Sequence, residues 1–253
     1  MNHTLFKLDN LTISHQGHPA VHHLHGEFKA GCFTAIVGPN GGGKSTLLKA
    51  LAGVNRQFEG HLHSPRTPRT AYLPQVAGLQ LDVPCTVQEL VAMGFWPEVS
   101  WFGRFKSHHL KAIAAALARV GLTGFERRWL NELSSGQLQR ALFARLIVQN
   151  AEVILLDEPF NAMDSHTQQD LIELLDQWRH EQRTVIAVLH DHALVSKHFE
   201  QTLLLARKAV AWGSTAAVLR AEHLFLARQM AQAWDMHAPR CKEHANQPLE
   251  KVA

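Results

Sequence analysis

The sequence predicts an α/β fold, a mostly parallel sheet with flanking helices, with an antiparallel β region before it and a helical segment inserted into it. Three observations predict this. Phe33–Val37, Val153–Leu156 and Thr184–Leu189 are apolar runs of strand length, too short for helices. The first ends in a glycine-rich turn, Gly38 to Gly43, and a helical pattern follows from Lys44 to Ala52, with Leu47, Leu48 and Leu51 on one face and Gly53 as its stop. The third run follows a polar helical stretch, and strands that alternate with helices build a parallel sheet.

Taken in order, Leu5–Leu8, Leu11–Ser14 and His25–Phe28 read as short antiparallel strands. Between Tyr72 and Asn150 the pattern turns helical: Val87–Met93, Leu110–Val120 and Leu138–Val148 form an insertion at about 78–150. After Arg220 a helix is expected, then a polar tail. The expected organisation is one domain over residues 1–230 and a tail over 231–253.

Composition narrows the class. Of 253 residues, 46% are hydrophobic and 19% charged, which excludes disorder, collagen and coiled coil as the main account. No apolar run approaches the roughly 18 residues of a membrane span, and Met1 to Asn10 lacks the apolar stretch of a signal peptide. The expectation is a chain soluble by itself and not exported. A net charge of +3 is too balanced to argue for nucleic acid. Cys32, Cys85 and Cys241, odd in number and far apart, suggest reduced thiols in a cytosolic compartment. The 18 histidines are pH-sensitive groups and metal ligands, or simply polar surface.

Gly38-Pro39-Asn40-Gly41-Gly42-Gly43-Lys44-Ser45 matches G-x-x-x-x-G-K-[ST], the phosphate loop of P-loop nucleotide triphosphatases. Glycines let backbone N–H groups turn inward around phosphate oxygens. The helix that follows, from Lys44 and Ser45 through Thr46, aims its positive end at the same anion. Lys44 supplies a compact charge for the β- and γ-phosphates, and Ser45 a hydroxyl for Mg²⁺. Asp157-Glu158 follows the strand Val153–Leu156, where a carboxylate faces the ligand crevice of a parallel sheet. Asp157 can hold Mg²⁺, and Glu158 can act as general base toward water.

Leu133-Ser134-Ser135-Gly136-Gln137 lies just upstream of that strand, and with it the sequence resembles the ATP-binding subunit of ABC transporters. Gln75, in Tyr72-Leu73-Pro74-Gln75, is similar to that family's glutamine loop, Asn161-Ala162-Met163-Asp164 to its aspartate loop, and His190 to its switch histidine. The resemblance implies a homodimer that sandwiches two ATP molecules, the loop around Lys44 of one chain facing Ser134, Ser135, Gly136 and Gln137 of the other. It implies that His190 holds the γ-phosphate end and that Gln75 senses nucleotide and Mg²⁺. Two departures stand out. Ser135 replaces the signature's usual first glycine. His15, in Ser14-His15-Gln16-Gly17, stands where the family stacks adenine on a larger aromatic, and an imidazole offers less area.

A single cassette without a membrane span resembles bacterial importer components. The stretch Leu81 to Gly94, Asp157-Glu158-Pro159-Phe160, and Leu203 to Gly213 are similar to the zinc and manganese importers, and in part to the iron–siderophore, haem and cobalamin importers. The implied partners are a polytopic permease and, indirectly, a periplasmic or extracellular solute-binding protein. The implied place is peripheral, on the cytoplasmic face of the cell membrane. DNA-repair and chromosome-structure ATPases share the Lys44, Ser134 and Asp157 motifs, but the stretch between them carries no sustained heptads.

Three further features invite a reading. Phe95, Trp96 and Trp101, within Val83–Trp101, are either core or a groove for a helix of the membrane partner. His61 and His63 would share one face of a strand, as a chelating pair or as plain surface. His237, Cys241 and His244, with water or His223 in the fourth position, are zinc-type ligands in the tail, although Pro239 breaks any helical spacing and a solvated tail is the plainer reading.

Overall fold

The computed structural model describes residues 3–15, 18–76, 84–99, 105–161, 163 and 165–232. In chain order these form β1 (Thr4–His15), β2 (His18–Lys29), β3 (Phe33–Val37), α1 (Lys44–Leu51), β4 (Phe58–His63), β5 (Thr70–Leu73), α2 (Val87–Ala92), α3 (Ser107–Arg119) and α4 (Ser135–Gln149). There follow β6 (Val153–Asp157), α5 (Ser165–His180), β7 (Thr184–Val188), α6 (His192–His198), β8 (Gln201–Ala206), β9 (Lys208–Ser214), α7 (Thr215–Val218) and α8 (Ala221–Gln232). The chain divides into two compact units, residues 1–67 with 184–253, and residues 68–183.

In the first unit, β3 and β7 are buried along their whole length, as a sheet covered on both faces requires. β3 pairs in parallel with β7, Ile36 opposite Val188, and with β8, Ile36 opposite Leu203, and β9 adds antiparallel to β8. Phe33 packs on Phe199 and Phe28 on Trp212, at centroid distances of 5.9 and 4.9 Å. A second, antiparallel sheet runs β2-β1-β4. Leu5–Leu8 and Leu11–Ser14, expected as separate strands, belong to one continuous β1. The polar break between them is a bulge: Asn10 sits at φ 51° where the pairing to β2 shifts between Leu8 and Leu11. Its Oδ1 meets His23 Nδ1 at 2.8 Å, and His23 is itself left-handed at φ 46°. One polar contact thus ties two strained residues on adjacent strands.

In the second unit, β5 pairs in parallel with β6, Leu73 opposite Leu156, and β6 is fully buried. The helices α2, α3 and α4 fall within the stretch read as helical. α4 packs against α2, α3 and β5, and its Ala141, Phe143 and Ala144 are inaccessible to solvent. It ends at Asn150 in the left-handed conformation that closes helices. Arg183 holds that end, donating to Asn150 Oδ1 at 2.6 Å and to the Ala151 carbonyl at 3.0 Å. No helix among the described residues is long and apolar enough to cross a membrane.

Phe143 fills the middle of this second unit, so Phe143→Ala should lower the unfolding free energy by about 3–5 kcal/mol. The expected reading is a lower urea midpoint at an unchanged slope.

Candidate active site

The glycine loop leaves β3 at Val37 and enters α1 at Lys44. Its glycines answer to packing. A Cβ on Gly38 would lie 2.0 Å from the Leu205 carbonyl oxygen, and one on Gly43 would lie 2.4 Å from the Ala20 carbonyl oxygen and 2.6 Å from Val21 Cγ2. Gly41, at φ 72°, has nothing within 4 Å of such a Cβ and faces open space. Lys44 is buried, and its ammonium donates to the carbonyls of Gly38 at 3.0 Å and Pro39 at 2.8 Å. Asn40 is exposed, and Ser45 and Thr46 are half-buried in the first turn of α1.

His190 belongs to the same unit. Leu189 N–H donates to the Ile36 carbonyl at 3.2 Å, so β3 and β7 end side by side. β3 continues directly into Gly38 and β7 through Leu189 into His190, which is exposed. Asp191 caps α6, its Oδ1 accepting from the N–H groups of Ala193 and Leu194 at 2.8 and 3.1 Å. That cap fixes where the chain turns after His190.

The second unit gathers the carboxylates. Asp157 closes β6 at 1% exposure, with the Tyr72 hydroxyl donating to its Oδ2 at 3.5 Å. Burial, and then the Asp157 charge, push the Tyr72 phenol well above its usual range, so it stays a donor. Glu158 follows at φ 51°, a left-handed backbone that costs an ordinary residue strain and marks functional turns. Its Oε2 accepts from Gln75 Nε2 at 2.8 Å and also from Asn161 Nδ2. Gln75 is exposed on the loop that leaves β5.

Ser134 to Gln137 open α4 as a reciprocal cap. Ser134 Oγ accepts from Gln137 N–H at 3.2 Å, and Gln137 Oε1 accepts from Ser134 N–H at 3.0 Å. Two residues on, Gln139 is buried and donates to the Pro159 carbonyl at 3.0 Å. Arg145 of the same helix donates to the Tyr72 carbonyl at 2.8 Å. Sequence reasoning assigned nothing to Gln139, Arg145, Tyr72 or Asn161 individually. Their roles depend on partners 3 to 85 positions away, and the available signal was that Tyr72 and Asn161 open quoted motifs and Gln139 follows the signature.

The side chain of His15 lies outside the described residues, as do Ala162, Asp164, Trp101 and the ligand-type residues His237, Cys241 and His244. His61 and His63 share one face of β4, ring centroids 5.4 Å apart. Among the described residues, no group of three or more His, Cys, Asp or Glu could hold a metal ion.

A glycine loop between a buried strand and a helix, with a second buried strand ending in Asp-Glu, defines a P-loop ATPase. The ABC transporter family profile matches residues 21–161. The chain is 34% identical over 222 residues to the manganese transport system ATP-binding protein MntB of Halalkalibacterium halodurans, covering 85% of this chain and 88% of that one. It is 33% identical over 224 residues to the zinc transport system ATP-binding protein TroB of Treponema pallidum, covering 86% and 84%. Among solved structures it is similar to a metal-chelate type ABC transporter in an inward-facing conformation, with a TM-score of 0.77, 30% identity and 90% of each chain covered. The chain belongs to the ABC transporter family and is an ATP-binding ATPase of that family.

The clearances rank two glycine substitutions. Gly43→Ala should depress the melting temperature and abolish binding of a fluorescent ATP analogue, because its Cβ meets backbone. Gly41→Ala should cost only the φ strain, about 1–2 kcal/mol. Equal losses in the two variants would refute the packing account.

Proposed function

We propose that this chain is the ATP-hydrolysing motor of a membrane importer for manganese or zinc. It works as a homodimer on the cytoplasmic face of the membrane, beneath a polytopic permease, and meets a solute-binding protein only through that permease. The observation that carries the motor reading is the Gln75–Glu158 bond at 2.8 Å, one residue beyond the buried Asp157. The metal reading is supported by relatives named for manganese and zinc transport. A second reading, an importer of an iron–siderophore, haem or cobalamin, is favoured by the likeness to a metal-chelate type transporter.

In the proposed reaction, loop N–H groups of Gly41 to Ser45 hold the phosphates, and Lys44 exchanges its two carbonyl partners for phosphate oxygens. Asp157, Ser45 and Gln75 present oxygen donors only, the chemistry Mg²⁺ takes, and they would hold it. The bound ion would neutralise charge on the phosphates. Glu158 takes the proton of the attacking water. His190 holds the γ-phosphate end. His15 lies under the adenine. Ser134, Ser135, Gly136 and Gln137 serve the nucleotide of the partner subunit, through N–H groups at the start of α4.

Glu158→Gln should keep ATP-analogue affinity, stop turnover and trap a dimer, because an amide cannot take the proton. Lys44→Ala should weaken binding itself by removing a charge-assisted contact. Parent-rate hydrolysis by the Gln variant would overturn the base assignment. Vesicles carrying the assembled transporter should take up radiolabelled Mn²⁺ or Zn²⁺ with ATP. Uptake of a metal chelate instead would establish the second reading.

The permease contact is proposed at the exposed apolar surface of the second unit, where Trp96 and Leu110 are 61% and 48% exposed although Phe95 beside them is core. A cysteine introduced at Glu98 should cross-link to the co-expressed permease. Absence of cross-links from cysteines placed throughout 83–101 would remove this surface from the contact.

A further inference from the structure

Glu158 ends in a torsion with a broad minimum, so its carboxylate points where its partners hold it. The side-chain amides of Gln75 and Asn161 both reach the same oxygen, Oε2, Gln75 Nε2 at 2.8 Å. The two donors differ in how they are attached. Gln75 reaches Glu158 with its side chain from the exposed loop after β5. Asn161 is tied to Glu158 twice, since its backbone N–H also donates to the Glu158 carbonyl at 3.3 Å and closes the turn Glu158-Pro159-Phe160-Asn161. Pro159 pre-sets the second position of that turn. Its carbonyl accepts from the buried Gln139, which anchors the turn to α4.

We infer that Asn161 is a positioning residue for Glu158, an inference that rests on the base assignment proposed above. Gln75 would also offer its amide oxygen to Mg²⁺ while its Nε2 donates to Glu158, so its hold on the carboxylate depends on the placement of the loop after β5. Asn161 has the shorter tether and moves with the turn that carries Glu158. It therefore keeps its place against Oε2 whatever the loop of Gln75 does, and it keeps the carboxylate aimed through the proton transfer. The bland alternative is a turn residue that merely stabilises the bend, a task Asn and Asp perform equally well.

That equivalence supplies the test. Asn161→Asp keeps the turn former but replaces an amide donor with a second carboxylate against Oε2. Asn161→Ala removes the donor alone. ATPase kinetics of the full chain, ATP-analogue affinity and melting temperature are measured for both and for Glu158→Gln. The expected result is a kcat lower by roughly tenfold to a hundredfold for Asn161→Ala and no higher for Asn161→Asp, with KM for ATP, analogue affinity and melting temperature at parent values. Parent kcat in Asn161→Asp overturns the inference, and so does a rise in KM at unchanged kcat. If Glu158→Gln is inactive while both Asn161 variants keep the parent kcat, the positioning role falls and the base assignment stands. If Glu158→Gln turns over at the parent rate, both fall.

Discussion

Everything in the first unit is arranged around one close approach of backbone to backbone. The loop Gly38–Gly43 is wedged against the carbonyl of Leu205 at the end of β8 and the carbonyl of Ala20 in β2. The wedge is bonded in place: Arg207, left-handed at φ 63°, donates its N–H to the Gly42 carbonyl at 2.9 Å and accepts from His22 N–H at 2.7 Å. β2, the β8–β9 turn and the phosphate loop therefore form one interlocked piece. The antiparallel sheet is part of that piece, because the strand that supplies Ala20 leaves no room for a Cβ at position 43. His22, buried at this junction, is pushed below the usual imidazole range by burial and by the nearby Lys208. It stays neutral there, which suits a site already crowded with cations.

α4 plays the corresponding part in the second unit. Its first turn is the Ser134–Gln137 cap, its second turn holds the Pro159 carbonyl through Gln139, and its third holds the Tyr72 carbonyl through Arg145. One helix thus sets the positions of the turn that carries Glu158 and of the strand that leads to Gln75. Rigid placement by a packed helix is how a carboxylate on a loop acquires the fixed geometry that the proposed proton transfer needs. The burial of Phe143, Ala141 and Ala144 on the same helix makes this a core function as much as a site function.

What could be read beforehand and what could not follows from this arrangement. The loop, the Asp-Glu pair and the signature were legible because each is a short run whose residue types answer to local chemistry. β3, β6 and β7 were legible because a strand buried on both faces is an unbroken apolar run. β4 was not: Phe58–His63 is mostly exposed and shows no clean alternation, and it is a strand because β1 pairs with it. Asn10 looked like a break because a polar pair usually marks a turn, whereas a bulge lets one strand continue through it. The packing reason for Gly38 and Gly43 was hidden for a different cause. Phosphate binding already explained those glycines, and the carbonyls of Leu205 and Ala20 lie far away in sequence. Asn161 and Gln139 fall in the same class, since their meaning lies in which atom they reach.

The signature turn shows how a structural account and a functional one can hold together. The first four N–H groups of a helix have no partner within it. In α4 the cap uses two of the donors at this end, those of Ser134 and Gln137. The N–H groups of Ser135 and Gly136 lie between them, at the positive end of a fifteen-residue helix. The acceptor oxygens of Ser134 and Gln137 are thus spent on each other's backbone N–H groups, and what the turn presents is donors. A serine at position 135 keeps its N–H as a glycine would, so the departure from the family pattern leaves the donor set intact. Under the proposed role, the demand at 135 is for a small residue, set by how closely an anion must approach, and serine meets it.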